Sequence, residues 1–254
     1  MQDFIFEYEK AVKNELEYLP AYFEDVLELI ICDEGRGYAL CDGEKFRLSR
    51  NEVILFNQNS VKLIVNEGDL KYTSLKISKE FCENVGIDIS SITFRSNISN
   101  MSIIRMFHDL QSVYRNQNGG FKKARMITAI LQILIELATN FTAEGSKKMQ
   151  IKNKEKIKNA ITYLTQNYSK KVLLDEITRD KYNFSILFKK FTNQTVFQYL
   201  NNLRVYNATL LIIEGNPVAD AARKCGFDNM SFFSKTFKQY TGLLPSDIKR
   251  AITK

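Results

Sequence analysis

The spacing of apolar residues changes near residue 100, from short apolar segments to a helical repeat. Between residues 26 and 78 the segments are "VLELIIC", "YALCDGEKFRL", "EVILF", "VKLIV" and "YTSLKIS", separated by polar clusters such as "DEGRG" and "NEGD". Such segments predict short antiparallel strands with turns at the polar clusters. Asp42-Gly43 predicts a tight hairpin turn, because this dipeptide suits the positive φ angles of a type I′ turn. The amino-terminal half is therefore expected to be a small antiparallel barrel or sandwich.

Beyond residue 100, apolar residues recur every three or four positions in two stretches. "MSIIRMFHDLQSVYRN" and "FKKARMITAILQILIELATNF" are each expected to form an amphipathic helix that packs on another part of the protein. The aliphatic arc of the second stretch is wider than one packing face needs. We therefore predict a homodimer contact through the helices of residues 101–141.

A polar stretch, "FTAEGSKKMQIK" (residues 141–152), contains Gly145 and predicts a linker. It divides the chain into an amino-terminal domain of residues 1–145 and a carboxyl-terminal domain of residues 146–254. From Lys154 onwards, "KEKIKNAITYLTQNY" predicts a helix with one apolar face and one lysine-rich face.

Charge differs between the two halves of the chain. Residues 1–150 carry 18 Lys and Arg against 21 Asp and Glu, a net charge of −3. Residues 151–254 carry 18 against 8, a net charge of +10. A basic half joined to a slightly acidic half indicates a polyanionic partner for the basic half alone. A solvated lysine-rich face is the alternative that charge by itself leaves open.

Residues 216–250, "NPVADAARKCGFDNMSFFSKTFKQYTGLLPSDIKR", predict two helices joined by a tight turn. Gly226 supplies the positive φ that the turn needs, and Asp228 is the expected N-cap of the second helix. This helix is expected to bury Phe233 and Phe237. Its outward polar side chains suit base edges in a major groove, and its lysines suit phosphates. The candidate DNA contacts on this helix are Asn229, Met230, Ser231, Ser234, Lys235 and Lys238.

An alanine pair, Gly-Phe, an aromatic-Phe pair, Phe-Lys, Thr-Gly and Pro-Ser occur in this order between residues 221 and 246. The order resembles the signature of AraC/XylS-family transcription regulators. Upstream, "QYLNNLRVYNATLLI" resembles the helix that joins two helix-turn-helix units in that family. The resemblance covers residues 154–250.

The resemblance implies an α+β protein with two domains. An amino-terminal cupin-like antiparallel β-barrel would be followed by two helices, and an all-α carboxyl-terminal domain would hold two helix-turn-helix units. It also implies a sequence-specific regulator, an activator as is usual in the family, with promoter DNA and RNA polymerase as partners. A small-molecule effector or a protein partner would act on the amino-terminal domain, although the sequence does not indicate which residues bind an effector.

"DEITRDKYNFSILFKKF" (residues 175–191) is a shortened upstream copy of the downstream unit. Ten positions separate Thr178 from Phe188, whereas fifteen separate the matching Ala222 and Phe237. The missing residues are expected to fall in the loop between the two helices and in the first helical turn of the recognition helix. This predicts a distorted turn at Tyr182-Asn183 or, alternatively, one nearly continuous helix.

Fewer polar side chains are available to contact bases in the first unit than in the second. Ser185 and Ile186 match the positions that contact bases in the family, and an isoleucine cannot donate to a guanine. The second unit is therefore predicted to carry most of the sequence discrimination. The remaining candidate DNA contacts are Ser185, Lys189, Lys190 and Arg204, the last three through phosphates.

The sequence shows no pattern typical of a catalytic, cofactor or metal site. Its four cysteines lack the spacing of metal ligands and are expected to be reduced, buried thiols. The single histidine, His108, is expected on a helix surface. We therefore predict that the protein is not an enzyme. We also predict a cytoplasmic location, because the chain shows neither a signal-peptide pattern nor an apolar run of membrane-spanning length. The alternative function is a dimerising protein-interaction or decoy relative with impaired DNA binding.

Overall fold

The structure is a computed structural model that describes residues 4–11, 20–98, 100–116, 120–143 and 148–248. A β-sheet comes first and two long helices follow it, and the rest of the described chain is helical, which confirms the predicted α+β architecture. The strands are β1 (Phe4–Ala11), β2 (Val26–Cys41), β3 (Glu44–Ser49), β4 (Val53–Phe56) and β5 (Lys62–Ser78). The helices are α1 (Lys79–Asn84), α2 (Met101–Arg115), α3 (Lys122–Asn140), α4 (Lys148–Asn167), α5 (Lys181–Thr192), α6 (Val196–Ile213), α7 (Val218–Lys224) and α8 (Met230–Thr241).

The five strands form one antiparallel sheet in the order β1-β5-β2-β3. On the side of β2 away from β5, two strands share its length: β4 pairs with residues 28–31, and β3 pairs with residues 36–41. The predicted hairpin between β2 and β3 is confirmed, because Asp42 and Gly43 have φ angles of 50° and 81°.

The turns predicted at "DEGRG" and "NEGD" are wrong, because β2 and β5 are single long strands that run through both clusters. The clusters lie opposite each other, with Glu34 paired to Lys71 and Arg36 to Gly68, and the register shifts between these pairs. Such bulges bend a strand without ending it. Gly35 has a φ of +76°, and a Cβ there would lie 2.2 Å from the carbonyl oxygen of Asp69. Pairing between β2 and β5 thus keeps both polar clusters in strand conformation although they are bulged.

Both faces of the sheet are packed. Leu29 and Ile31 lie in the core that also contains residues of α2 and α3. Ile30 and Cys32 point to the opposite face, because side chains alternate along a strand, and there they pack with Leu48 in a second core. The sheet therefore curls around an interior of its own, as in a barrel.

That interior contains an ion pair. The Lys62 Nζ donates to the carboxylate of Glu28, and each of these side chains is only 3% exposed. Glu28 also accepts a hydrogen bond from the Ser74 hydroxyl at 2.6 Å, and Lys62 reaches Glu24 at 3.0 Å. The Tyr22 ring centroid lies 4.9 Å from Nζ, and burial raises the pKa of the tyrosine hydroxyl. The inner charges are therefore compensated by neighbouring side chains.

Helices α2 and α3 cover one face of the sheet, as their apolar spacing predicted. Phe107 of α2 and Leu134 of α3 are fully buried in the shared core. On the outer side of α3, Ile135 is 59% exposed. His108 lies on the surface of α2, as predicted, with its Nδ1 2.9 Å from Gln111 Oε1. The four cysteines are buried free thiols, also as predicted.

The predicted linker contains residues 144–147, which lie outside the described ranges, so the predicted domain boundary lies there as well. The predicted helix start at Lys154 is wrong, because α4 already begins at Lys148. The added residues contain neither glycine nor proline, so no helix-breaking residue stands before Lys154. Helix α6 joins the two halves of the helical domain, as the resemblance implied.

Two absences concern the described residues only. No helix in those ranges is long and apolar enough to cross a bilayer. The same residues contain no group of three or more His, Cys, Asp or Glu side chains positioned to hold a metal ion.

Candidate nucleic-acid interface

The second helix-turn-helix unit consists of α7, α8 and a tight turn between them. Gly226 in this turn has the predicted positive φ, +81°, and a Cβ there would lie 2.8 Å from the carbonyl oxygen of Ser169. Phe227 follows it into the core, where its ring centroid lies 4.9 Å from that of Phe233. The turn is thus fixed both by backbone conformation and by a close approach to the end of α4.

The N-cap of α8 is Asn229, and the prediction of Asp228 is wrong by one residue. Asn229 has an extended backbone, and its Oδ1 accepts the N–H of Phe232 at 2.8 Å. An amide oxygen satisfies a free helix N–H as well as a carboxylate does. If Asn229 contacts DNA as predicted, it donates through its amide nitrogen, because the oxygen is used by the cap.

The outer face of α8 brings the predicted DNA contacts of the second unit together. Ser231, Lys235 and Lys238 are exposed, and Ser234 is half-buried beside them. Met230 is 40% exposed at the start of the helix. Phe233 and Phe237 hold the opposite side of the helix in the core, since both are fully buried. Polar and basic side chains therefore project from a helix whose orientation is fixed.

The recognition helix of the first unit, α5, is complete. It has 12 residues, as α8 has. Its N-cap, Asp180, accepts the N–H of Asn183, and its C-cap, Asn193, has a left-handed φ of 58°, as Gly242 does at the end of α8. Hydrogen bonds from Asn183 hold the pKa of Asp180 below its usual range.

The predicted loss in the first turn of this recognition helix is therefore wrong, and so is the predicted turn at Tyr182-Asn183. Both residues lie inside α5. The alternative, one nearly continuous helix, is also wrong, because only a single 3-10 turn, Leu174–Glu176, stands where the second unit has the seven-residue α7. The phenylalanines of α5 are tied to the core, so the shortening falls on the helix before it.

A cavity of 450 Å³ lies between the shortened segment and α4. Tyr163 of α4 closes one side of it and donates from its hydroxyl to Glu176 at 2.9 Å. Arg179 and Phe184 also line the cavity. The first unit therefore has a full-length recognition helix, whereas the helix before it is reduced to a single 3-10 turn.

The two recognition helices correspond residue by residue at a separation of 49 positions. Phe184 and Phe188 are buried as Phe233 and Phe237 are. On the outer side, Tyr182, Ile186 and Lys189 occupy the positions of Ser231, Lys235 and Lys238. Tyr182 is absent from the predicted contacts, because the sequence pattern placed the shortening within the recognition helix. Counting back from the aligned phenylalanines would have found it.

The other predicted contacts of the first unit differ in their surroundings. Lys189 and Lys190 are exposed in the last turn of α5. The Ser185 hydroxyl donates to the carbonyl of Lys181 at 2.7 Å, so its hydrogen is already used within the helix.

Arg204 lies in α6 and is half-buried. Its Nε donates to the carbonyl of Tyr168 at 2.7 Å, and its Nη2 donates to that of Lys170 at 2.8 Å. Burial lowers the pKa of the guanidinium below its usual value. These bonds tie α6 to the end of α4. The predicted phosphate contact by Arg204 stays a prediction, and it would have to use the N–H groups of Nη1 or the second N–H of Nη2.

The first unit packs directly on the amino-terminal domain. The buried Tyr199 hydroxyl of α6 donates to the carbonyl of Ala21 at 2.7 Å, and Asn193 donates to the Tyr38 hydroxyl at 3.0 Å. Phe191 lies against the hairpin turn, where a Cβ at Gly43 would be 3.0 Å from its ring. The contact uses the end of α5 and leaves its outer side open.

A cavity of 390 Å³ lies at this domain contact. Tyr22 and Phe23 line it from the amino-terminal side, and Tyr199 and Leu203 of α6 line it from the other. Its walls are mostly aromatic and aliphatic, which is typical of sites for small organic molecules. Both domains therefore contribute to this mainly apolar cavity.

Two family models match the chain. A model described as an AraC-like ligand binding domain matches residues 17–148, and one described as a helix-turn-helix domain matches residues 174–251. RhaS of Citrobacter koseri, an HTH-type transcriptional activator, is 22% identical over 91% of this chain and 87% of its own length. YbfI of Bacillus subtilis, an uncharacterised HTH-type transcriptional regulator, is 20% identical over 86% of this chain and 82% of its own length.

Solved structures with a similar course of the chain are also known. ToxT from Vibrio cholerae is 15% identical, with a TM-score of 0.43, over 96% of this chain and 96% of its own. A Listeria innocua protein of unknown function is 26% identical, with a TM-score of 0.35, over 37% of this chain and 95% of its own.

Proposed function

The chain belongs to the AraC/XylS family of transcription regulators, and from this premise we propose that it is a promoter-binding activator controlled through its amino-terminal domain. The outer stripe of α8 is the observation that carries this proposal. Ser231, Lys235 and Lys238 project together from a helix that is anchored by two fully buried phenylalanines. Side chains of this kind bind base edges and phosphates of a major groove.

Charge supports the same assignment. The net charge of +10 in residues 151–254 suits a polyanion, whereas the slightly acidic amino-terminal half does not. Phosphate contacts release counterions, so DNA affinity is expected to fall steeply as salt rises. In this proposal Arg204 positions α6 through its two carbonyl contacts, and any phosphate contact uses the N–H groups that these two bonds leave over.

The amino-terminal domain is proposed to sense a small-molecule effector or a protein partner. The cavity at the domain contact, lined by Tyr22, Phe23 and Tyr199, is a suitable place for such control, because a ligand there would touch both domains. A homodimer contact is proposed through α2 and α3, where the exposed Ile135 gives an unburied apolar side chain. RNA polymerase is the proposed partner of the DNA-bound form, and the protein is proposed to be a cytoplasmic non-enzyme that needs no cofactor.

Two paired substitutions test which unit discriminates sequence. Ser231→Ala with Lys235→Ala is expected to reduce the preference for a selected duplex over a scrambled one by about 10- to 100-fold, because a good base contact contributes about 1–3 kcal/mol of discrimination. Ser185→Ala with Ile186→Ala is expected to reduce it less. Fluorescence anisotropy with duplexes obtained by selection from a random-sequence library provides the affinities.

Two results would count against the proposal. A larger loss of preference in the Ser185/Ile186 pair would contradict the leading role of the second unit. The decoy function would be favoured instead if the unaltered protein bound all duplexes equally with an affinity that does not change with salt. It would also be favoured if the protein bound no duplex.

A further inference from the structure

The outer stripe of α5 is apolar where that of α8 is polar. Tyr182 is 76% exposed and Ile186 is 56% exposed, one helical turn apart. The matching positions of α8 hold Ser231 and Lys235. Large apolar side chains on the open side of a basic helix are costly to leave in water, so they indicate a contact surface.

The surroundings of this stripe suit DNA. Lys189 is exposed in the last turn of α5, and Lys181 is exposed at its start. Lys190 is also exposed but lies beside the hairpin turn, where a Cβ at Gly43 would be 3.3 Å from its Cγ. The helix matches α8 in length, in its capped start and in its buried phenylalanines. The contact with the amino-terminal domain involves Phe191 and Asn193 at the far end of the helix and leaves the stripe exposed. A helix with cations beside an apolar centre can enter a major groove.

Nearby polar groups are already engaged within the unit. The Asn183 side chain donates to Asp180 at 2.9 Å, and the Ser185 hydroxyl donates to a carbonyl of the same helix. Lys181 forms an ion pair with Asp175 at 2.7 Å. Tyr182 and Ile186 are thus the large hydrophobic side chains exposed on this helix.

We propose that α5 recognises the 5-methyl groups of thymines through Tyr182 and Ile186. Thymine carries the only methyl group at a base edge of the major groove. An isoleucine at that edge gains free energy at thymine and has nothing to donate to the other bases. This inference rests on the proposed function and refines it: the first unit adds a preference for thymine-containing sequence, while α8 supplies most of the discrimination.

The test replaces thymine by deoxyuridine, which differs from it only by that methyl group. The probe is a duplex selected by the unaltered protein from a random-sequence library, made in four forms: with thymine throughout, with uracil in either half alone, and with uracil in both halves. Affinities are measured by fluorescence anisotropy for the unaltered protein, Ile186→Ala, Tyr182→Ala and the matched α8 variant Lys235→Ala. Ile186 and Tyr182 are exposed, so the variants are expected to keep the fold, which circular dichroism checks.

For the unaltered protein, uracil in one of the two halves is expected to weaken binding about fourfold per contacted methyl group, the equivalent of about 0.8 kcal/mol for one CH₂ group. This penalty is expected to shrink in Ile186→Ala and in Tyr182→Ala and to persist in Lys235→Ala, because a lost contact cannot be lost twice. Ile186→Lys, which introduces the residue type of the matching α8 position, is likewise expected to reduce the penalty without removing it, because Tyr182 remains, and salt-dependent binding is expected to persist.

The inference is overturned if uracil in neither half weakens binding, if selected duplexes lack thymine in both halves, or if the penalty in Ile186→Ala and Tyr182→Ala equals that of the unaltered protein. In each of these cases the protein still binds DNA. Absence of salt-dependent binding to every duplex would instead contradict the proposed function itself. The two failures are therefore distinguishable within one set of measurements.

Discussion

At the residue scale, Glu28 and Lys62 show how an ion pair can be placed inside a small sheet. Both side chains lie on the inner face of the bend and are almost fully buried. Ser74 and Glu24 supply further contacts, so the charges do not face an apolar wall. Breaking such a pair is costly because the remaining charge stays buried without compensation.

Lys62→Met is therefore expected to lower the free energy of unfolding by about 3–5 kcal/mol. Combining it with Glu28→Leu is expected to recover most of the loss, since no uncompensated charge remains. Lys71→Met is the matched control, because Lys71 pairs with Glu34 at 2.7 Å on the surface and such pairs contribute about 0–1 kcal/mol. Urea unfolding followed by circular dichroism gives the comparison. Equal losses in the two single variants would show that burial of the inner pair does not matter.

At the scale of an element, the bend in β2 and β5 depends on a close approach of two backbones. At Gly35 the carbonyl oxygen of Asp69 occupies the space that a side chain would need. The register shifts on both sides of this glycine show that neither strand is regular there. The bend in turn creates the inner face that holds Ile30 and Leu48.

Gly35→Ala is expected to lower the free energy of unfolding by more than about 3 kcal/mol, because left-handed strain of about 1–2 kcal/mol adds to a steric overlap. Gly86→Ala is the control: Gly86 has a similar φ of +80°, but no atom lies within 4 Å of a Cβ built there. Only the strain is then expected, about 1–2 kcal/mol. If both variants unfold at the same urea concentration, the close approach is not what requires glycine.

At the scale of the whole molecule, the first helix-turn-helix unit shares its hydrophobic core with the amino-terminal domain. Its core includes Ala21 and Val61 of the amino-terminal domain together with Phe188 and Tyr199. The second unit has a separate core around α7 and α8. The amino-terminal domain therefore contacts the core of α5 directly, whereas α6 and the end of α4 lie between it and the core of α7 and α8.

Tyr199→Phe tests this coupling, because it removes the hydroxyl that donates to the buried carbonyl of Ala21. The free energy of unfolding is expected to fall by about 1–3 kcal/mol, the cost of leaving a buried polar group unpaired. Hydrogen exchange of residues 20–23 and of α6 is expected to increase in parallel. Tyr240→Phe is the control, since its hydroxyl donates to Gln198 on a more exposed side of the same domain. Unchanged exchange at residues 20–23 in Tyr199→Phe would contradict the coupling.

Local sequence determined the elements whose cause is local. The period of apolar residues was sufficient for α2, α3 and the buried side of α8, and Asp42-Gly43 was sufficient for its hairpin turn. The order of residues around Gly226 was sufficient for the second unit and for the family. These features depend on residues within a few positions of each other, so periodicity and turn chemistry identify them.

Only the tertiary structure decided the features that depend on distant residues. "DEGRG" forms part of a strand because β5, some 35 positions away, pairs with it. The shortening of the first unit falls on the helix before α5, because Phe184 and Phe188 are held by α4 and α6 and by the amino-terminal domain. The exposed stripe of Tyr182 and Ile186 follows from that choice. The spacing of apolar residues alone cannot show which helix is shortened, because a deletion in either helix leaves the same residues apolar.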